Sequence, residues 1–232
     1  MTLETYQDTA ELYLARRSEV NASRPLFTGD VLLDIAIPGI QKSGMAVVVA
    51  HPCSMRGKGG QINDRVMLAA VTPHDTLRPS VWASGYFDRA PMPDLEGKPG
   101  CFVVYLDNIG KTRAELINKS ERIACLTQFG VNLLQQRLIH HLTRLEVPTW
   151  QLQQAFSHTY EEADLMEDWN DIFMEGGVSV FEATTCFEAF FRAERDGQSL
   201  QKSFQDAQRR SYVRTACRNE AARQVSEKLG GH

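Results

Sequence analysis

The chain has 232 residues, 43% hydrophobic and 23% charged, the balance of a folded globular protein and not of a disordered one. Its net charge of −4 gives no global signature of nucleic-acid binding, so any such function needs a local basic patch. No run approaches the roughly 20 apolar residues that span a bilayer, and the polar, acidic start is unlike a signal peptide; a cytoplasmic protein without a membrane partner is expected.

Residues 3–18 read as a short helix, with Tyr6, Ala10, Leu12, Tyr13 and Leu14 as a crude apolar stripe. Short β-rich runs follow at 31–37, 45–50, 66–71, 81–87 and 101–106. They are broken by Pro38-Gly39, the loop 51–64, the segment 72–79 and the Pro- and Gly-rich stretch 91–100. Val47-Val48-Val49 and Val103-Val104 are unbroken β-branched runs, as expected of strands buried on both faces. Strands without intervening helices favour an antiparallel barrel or bent sheet over a doubly wound parallel one.

A sixth strand is expected at 122–126. From Val131 the pattern turns helical through Leu134, Leu138, Leu142 and Leu145, ending before Pro148. Further helices are expected at 150–156, 160–173, 181–195 and 199–229, with Gly176-Gly177 and Gly197 as breaks. The division is an N-terminal helical segment (1–24), a β-barrel with its terminal helix (25–147) and a helical extension (148–232). The cysteines at 53, 101, 125, 186 and 217 are odd in number and form no C-x-x-C pair. They read as small buried hydrophobes, not as a disulfide or zinc framework.

Four stretches of the β-rich half resemble the MazF/PemK family of bacterial toxins. Thr28-Gly29-Asp30-Val31-Leu32 is similar to the family's opening strand and residues 44–50 to its second. Residues 66–72 are similar to its third strand, which ends in a functional Thr or Ser, here Thr72. Residues 105–109 with Lys111-Thr112-Arg113 resemble its late strand and turn. The resemblance implies an α+β fold, a small SH3-like antiparallel β-barrel followed by a helical C-terminal region. It also implies a homodimer, an antitoxin or other protein partner, and metal-independent endoribonuclease chemistry on RNA with no cofactor. Two positions depart from the family: Met45 stands where it carries a catalytic Arg, and Gly110 where a second Arg follows the late Ile.

The loop from His51 to Gly60 gathers an imidazole, a thiol, two cations and glycines. RNA cleavage without metal needs a base, an acid and positive charge on the phosphate. His51 titrates near neutrality and suits acid or base, and Arg56 with Lys58 could replace the missing Arg. Thr72, Arg56 and Arg113 are expected to converge from three loops, with Arg65 and Lys111 as further phosphate contacts. In the last helix Arg210 and Arg214 belong to a basic stripe that could track a phosphate backbone. Against this stand bland readings: His51-Pro52 ending a strand, Cys53 packed beneath the loop, and solvated cations. A His51/Cys53/His74 metal set fits no familiar zinc spacing. Three functions are therefore weighed: an endoribonuclease, a non-catalytic barrel that binds nucleic acid or protein, and a scaffold subunit.

Overall fold

The computed structural model describes residues 2–57, 61–195 and 197–230. Between 3-10 turns at Thr9–Glu11 and Arg17–Glu19 lies β1 (Tyr13–Arg16). Then come β2 (Val31–Leu33), β3 (Met45–Val48), the one-turn helix α1 (Pro52–Met55), β4 (Arg65–Pro73), α2 (Pro79–Ser84), β5 (Arg89–Pro93) and β6 (Cys101–Arg113). The short helix α3 (Ala114–Ile117) leads to β7 (Glu121–Leu126) and α4 (Gln128–Thr143). The remainder is α5 (Thr149–Glu175), α6 (Val180–Arg192), the hairpin β8 (Glu194–Arg195) and β9 (Gln198–Ser199), α7 (Leu200–Phe204) and α8 (Arg210–Gly230).

Two compact units result. The first takes the chain up to Val20, Leu26–Arg56 and Ile62–Phe156; the second is built chiefly from Asn21–Pro25 and the chain from Ser157 onward. In the first, seven antiparallel strands form one curled sheet in the order β1-β7-β2-β3-β4-β6-β5. Ala46, Val47 and Val48 are all buried, so both faces of the sheet are covered at its centre. Ala46 and Val48 join Leu32, Val66, Leu68 and Ala70 in a core completed by Ile35, Ile37, Met55 and Ile117. Helix α4 packs against β5 and β7.

The motif at 28–30 sets the entry to β2. Gly29 has φ +90, and a Cβ there would lie 3.0 Å from Leu126 and Val131, so glycine suits both conformation and space. The buried Asp30 carboxylate accepts from Phe27 N and from Arg122 Nη1, both at 2.9 Å, fastening β7 beside β2. The sheet's edge strands β1 and β5 meet through side chains: Tyr13 Oη donates to Pro93 O at 2.8 Å, and Arg16 Nη1 to Asp94 O at 2.9 Å.

Several expectations are corrected. The stretch 3–18 is no helix: Tyr13–Arg16 pairs with β7, covering an edge that would otherwise be open, and tertiary pairing overrides local helix propensity. The stretch 81–87 is not a strand; Pro79 opens helix α2, where its fixed φ and missing N–H are harmless. The Pro-rich break at 91–100 contains the end of β5, tolerated because β5 is an edge strand. Strand β6 does not turn at 107–113. It continues through a bulge, with Ala69 opposite Ile109 and Val71 opposite Val104, so that Ala70 alone stands against residues 105–108. The two helices expected at 150–156 and 160–173 are one, and the last one is divided into α7, a 3-10 turn and α8.

The second unit buries Leu165, Met166, Trp169 and Phe173 of α5 against Phe187, Phe190 and Phe191 of α6 and Val213 and Cys217 of α8. Asn21–Pro25 is tied to α5: Asn170 Nδ2 donates to Ser23 O at 2.8 Å, and Arg24 pairs with Asp164 at 2.8 Å and with Glu167. No helix among the described residues is long and apolar enough to cross a membrane.

Candidate nucleic-acid interface

Soon after β3 the chain forms a one-turn helix, Pro52–Met55. His51 caps α1, its Nδ1 accepting from Cys53 N at 3.2 Å, while Ser54 Oγ donates to His51 O at 2.7 Å. The imidazole rests against Phe156 with ring centroids 5.4 Å apart. Arg56 Nη2 donates to Leu26 O at 2.7 Å, fixing one loop to another. Cys53 is exposed and not packed beneath the loop. Lys58 lies outside the described residues.

The expected convergence of Thr72 with Arg113 is not found. Thr72 pairs with Val103 near one end of β4, whereas Arg113 pairs with Arg65 at the other. Seven residues of strand separate the two positions, about 23 Å at the usual rise of about 3.3 Å per residue. The departures at 45 and 110 also have structural counterparts. Met45 is half-buried on β3 opposite Val71. At Gly110 a Cβ would lie 2.5 Å from Ile37 Cγ2, so no Arg fits there without moving the core.

What the register does assemble is a basic ribbon. Arg65 stands directly opposite Arg113, and Met67 opposite Lys111. Directly opposed residues of an antiparallel pair project from the same face, so these four side chains share one surface. All four are exposed, Met67 at 36% and the Arg113 side chain at 66%. The alternating residues anchor the ribbon from behind: Val66 and Leu68 enter the core, and Thr112 Oγ1 donates to Ala36 O at 2.6 Å. Arg113 approaches Glu115 only at 4.0 Å, and among the described residues Arg65 and Lys111 make no ion pair. Like charges opposed across a pair destabilise a sheet by an amount on the order of 0.2–1 kcal/mol. The surface therefore carries largely uncompensated positive charge that a polyanion would relieve.

The C-terminal stripe is arranged in the opposite way. Arg210 and Arg214 both grip Glu161, Arg214 Nη2 at 3.2 Å, and both lie over the Phe204 ring. Further along α8, Arg223 pairs with Glu220 and Glu227, and Lys228 with Glu182. Hydrogen bonding from Arg223 holds the Glu220 carboxyl down to about 2. These cations are matched by carboxylates and bind the second unit's own helices.

His74 does not meet His51 and Cys53. Its ring nitrogens lie 2.8 Å from Asp75 O and 3.0 Å from Arg89 Nη1. Among the described residues no group of three His, Cys, Asp or Glu side chains is placed to hold a metal. A cavity between β1, β5 and α4, lined by Tyr6, Tyr13, Met92, Leu134 and Arg137, has a volume of about 20 Å³, room for a single water. Sequence reasoning missed the partnership of His74 with Arg89, which depends on β4 and β5 both pairing with β6. No protein-family model and no curated protein matches the chain.

Proposed function

We propose that this chain is a nucleic-acid-binding protein built on a MazF/PemK-like, SH3-like barrel, and that it grips the backbone of single-stranded RNA through the β4–β6 ribbon. The observation that carries this reading is the register that places Arg65, Lys111 and Arg113 on one exposed face with almost no compensating carboxylate. Met67 among them offers an apolar surface to unstacked bases. Binding is favoured over cleavage, because Thr72 and Arg113 stand at opposite ends of β4 and Gly110 has no space for the family's cation. A metal-free ribonuclease needs base, acid and cation within reach of one phosphate.

The test is the affinity of the full chain for a labelled single-stranded RNA in chelator, measured across salt concentrations. Each phosphate contact on a single strand contributes about 0.7 to the slope of log affinity against log salt, so three contribute about 2. The R65Q/K111Q/R113Q variant should therefore lose about 100-fold in affinity near 0.1 M salt. Equal affinity of variant and wild type would refute the ribbon. Shortened RNA products from the wild type would return the chain to the ribonuclease reading.

A further inference from the structure

A second polar cluster lies in the first unit, toward the end of β4 remote from the ribbon. His74 Nε2 is 3.0 Å from Arg89 Nη1, and because the guanidinium only donates, Nε2 accepts. The ring proton is then assigned to Nδ1, which donates to Asp75 O at 2.8 Å. Arg89 Nε donates to Asp88 Oδ2 at 3.2 Å. The Arg89 guanidinium lies 5.3 Å from the centre of the Tyr86 ring and 4.8 Å from that of Tyr105. The His74 ring tilts against Trp82 at 5.6 Å and meets Tyr86 edge-on at 5.9 Å.

Three features set this cluster apart from ordinary packing. Tyr86 has φ +54, a left-handed conformation that is strained for a bulky residue and that surrounding structure must impose. Tyr86 as a residue is nevertheless 39% exposed, although its ring also packs against Trp82 with centroids 5.3 Å apart. Trp82 is fully buried, yet its Nε1–H has no hydrogen-bond partner among the described residues, an unusual state for a buried donor.

The imposing structure is Arg137 of α4, 1% exposed. It donates to Trp82 O at 2.6 Å, Arg89 O at 3.1 Å and, more weakly, Tyr86 O at 3.4 Å. All its acceptors here are carbonyls, and burial pulls its pKa down to about 10. Two guanidiniums thus serve the 82–89 segment, and the partly exposed carboxylate of Asp88 pairs with that of Arg89. Of the two, Arg89 brings its positive charge against the Tyr86 ring.

We propose that His74, Tyr86 and Arg89 form a subsite for one nucleotide. Arg89, backed by His74, takes the phosphate with the N–H groups it does not spend on His74 and Asp88, and Tyr86 takes the base on its exposed face. Stacking of this kind tolerates any base, and a guanidinium fork matches phosphate oxygens. The ligand is a phosphate joined to an aromatic base, carried either by a single strand or by a free nucleotide. Only the first source rests on the ribbon reading.

Calorimetric titration of the full chain with uridine monophosphate and with inorganic phosphate tests this. Arg89→Met should weaken both ligands by about tenfold or more, since a charge-assisted fork is lost. Tyr86→Ala should weaken the nucleotide by about tenfold and leave inorganic phosphate unchanged. Arg89→Lys keeps the charge without the fork and should recover part of the phosphate binding, which separates loss of contact from loss of fold. The R65Q/K111Q/R113Q variant should bind the mononucleotide as wild type does. An oligonucleotide that displaces the mononucleotide in the wild type identifies a strand as the source; one that does not identifies the free nucleotide. The subsite is overturned if wild type shows no saturable nucleotide binding, or if Arg89→Met and Tyr86→Ala bind it normally. Normal oligonucleotide affinity in the ribbon variant, with Arg89-dependent nucleotide binding intact, would sink the ribbon alone.

Discussion

Replacing Arg137 by methionine keeps an unbranched apolar stem on α4 and removes the group that holds the 82–89 segment. Two of its hydrogen bonds, to Trp82 O at 2.6 Å and Arg89 O at 3.1 Å, have good lengths; the one to Tyr86 O at 3.4 Å is marginal. A hydrogen bond to a charged group contributes about 1.5–3 kcal/mol, so the two good ones amount to about 3–6 kcal/mol. Removing a buried guanidinium also relieves its desolvation, which leaves a net local loss on the order of 2–3 kcal/mol. Amide hydrogen exchange of the full chain reads this directly. Peptides covering 79–93 should exchange about 30- to 150-fold faster, while those from α6 and α8 stay unchanged. Unaltered protection in 79–93, or a uniform increase across both units, would refute the clamp.

Other expectations concern charge, protonation and thiols. Arg210→Gln with Arg214→Gln should leave RNA affinity unchanged and lower the second unit's stability by about 1 kcal/mol, because partly exposed ion pairs contribute little. His140 is buried and stacked on Phe87 with centroids 4.9 Å apart, and burial lowers its pKa below the ordinary 6.5. The native state then binds that proton less readily than the unfolded chain. Its stability is fully present above pH 6.5 and declines as pH falls through the lowered value; His140→Gln should flatten the decline in denaturant midpoints measured on either side. In the native protein Cys53 should react first with a thiol reagent. Burial raises the Cys217 thiol to about 12, so it stays protonated and unlabelled at neutral pH until the second unit unfolds.

The apolar runs made the centre of the sheet legible: β3, β4 and β7 follow Val47-Val48, residues 66–71 and residues 122–126, and α4 follows its leucine repeat. Its edges were not, because edge strands are specified by what they pair with. Tyr13–Arg16 is written in helix-compatible residues and becomes a strand only beside β7. Arg89–Pro93 carries two prolines that an edge position tolerates. The bulge opposite Ala70 was likewise invisible, since it is a property of the β4–β6 register and not of either strand alone. For the same reason Arg65, Lys111 and Arg113 could be named as cations from the sequence, but their sharing of one face followed only from the pairing. Arg210 and Arg214 looked similar in sequence, and only the position of Glu161 distinguishes them. The strain at Tyr86 and its neighbours His74 and Arg89 depends on three separated segments and on Arg137 beneath them.

Ultraviolet crosslinking of single-stranded RNA to the full chain, read by mass spectrometry of the crosslinked peptides, addresses the central claim most directly. Adducts should concentrate on peptides containing Met67 and residues 109–113, and those adducts should disappear in the R65Q/K111Q/R113Q variant. Adducts confined to α8, or no saturable crosslinking at low salt, would contradict the assignment of the β4–β6 ribbon as the RNA-binding surface.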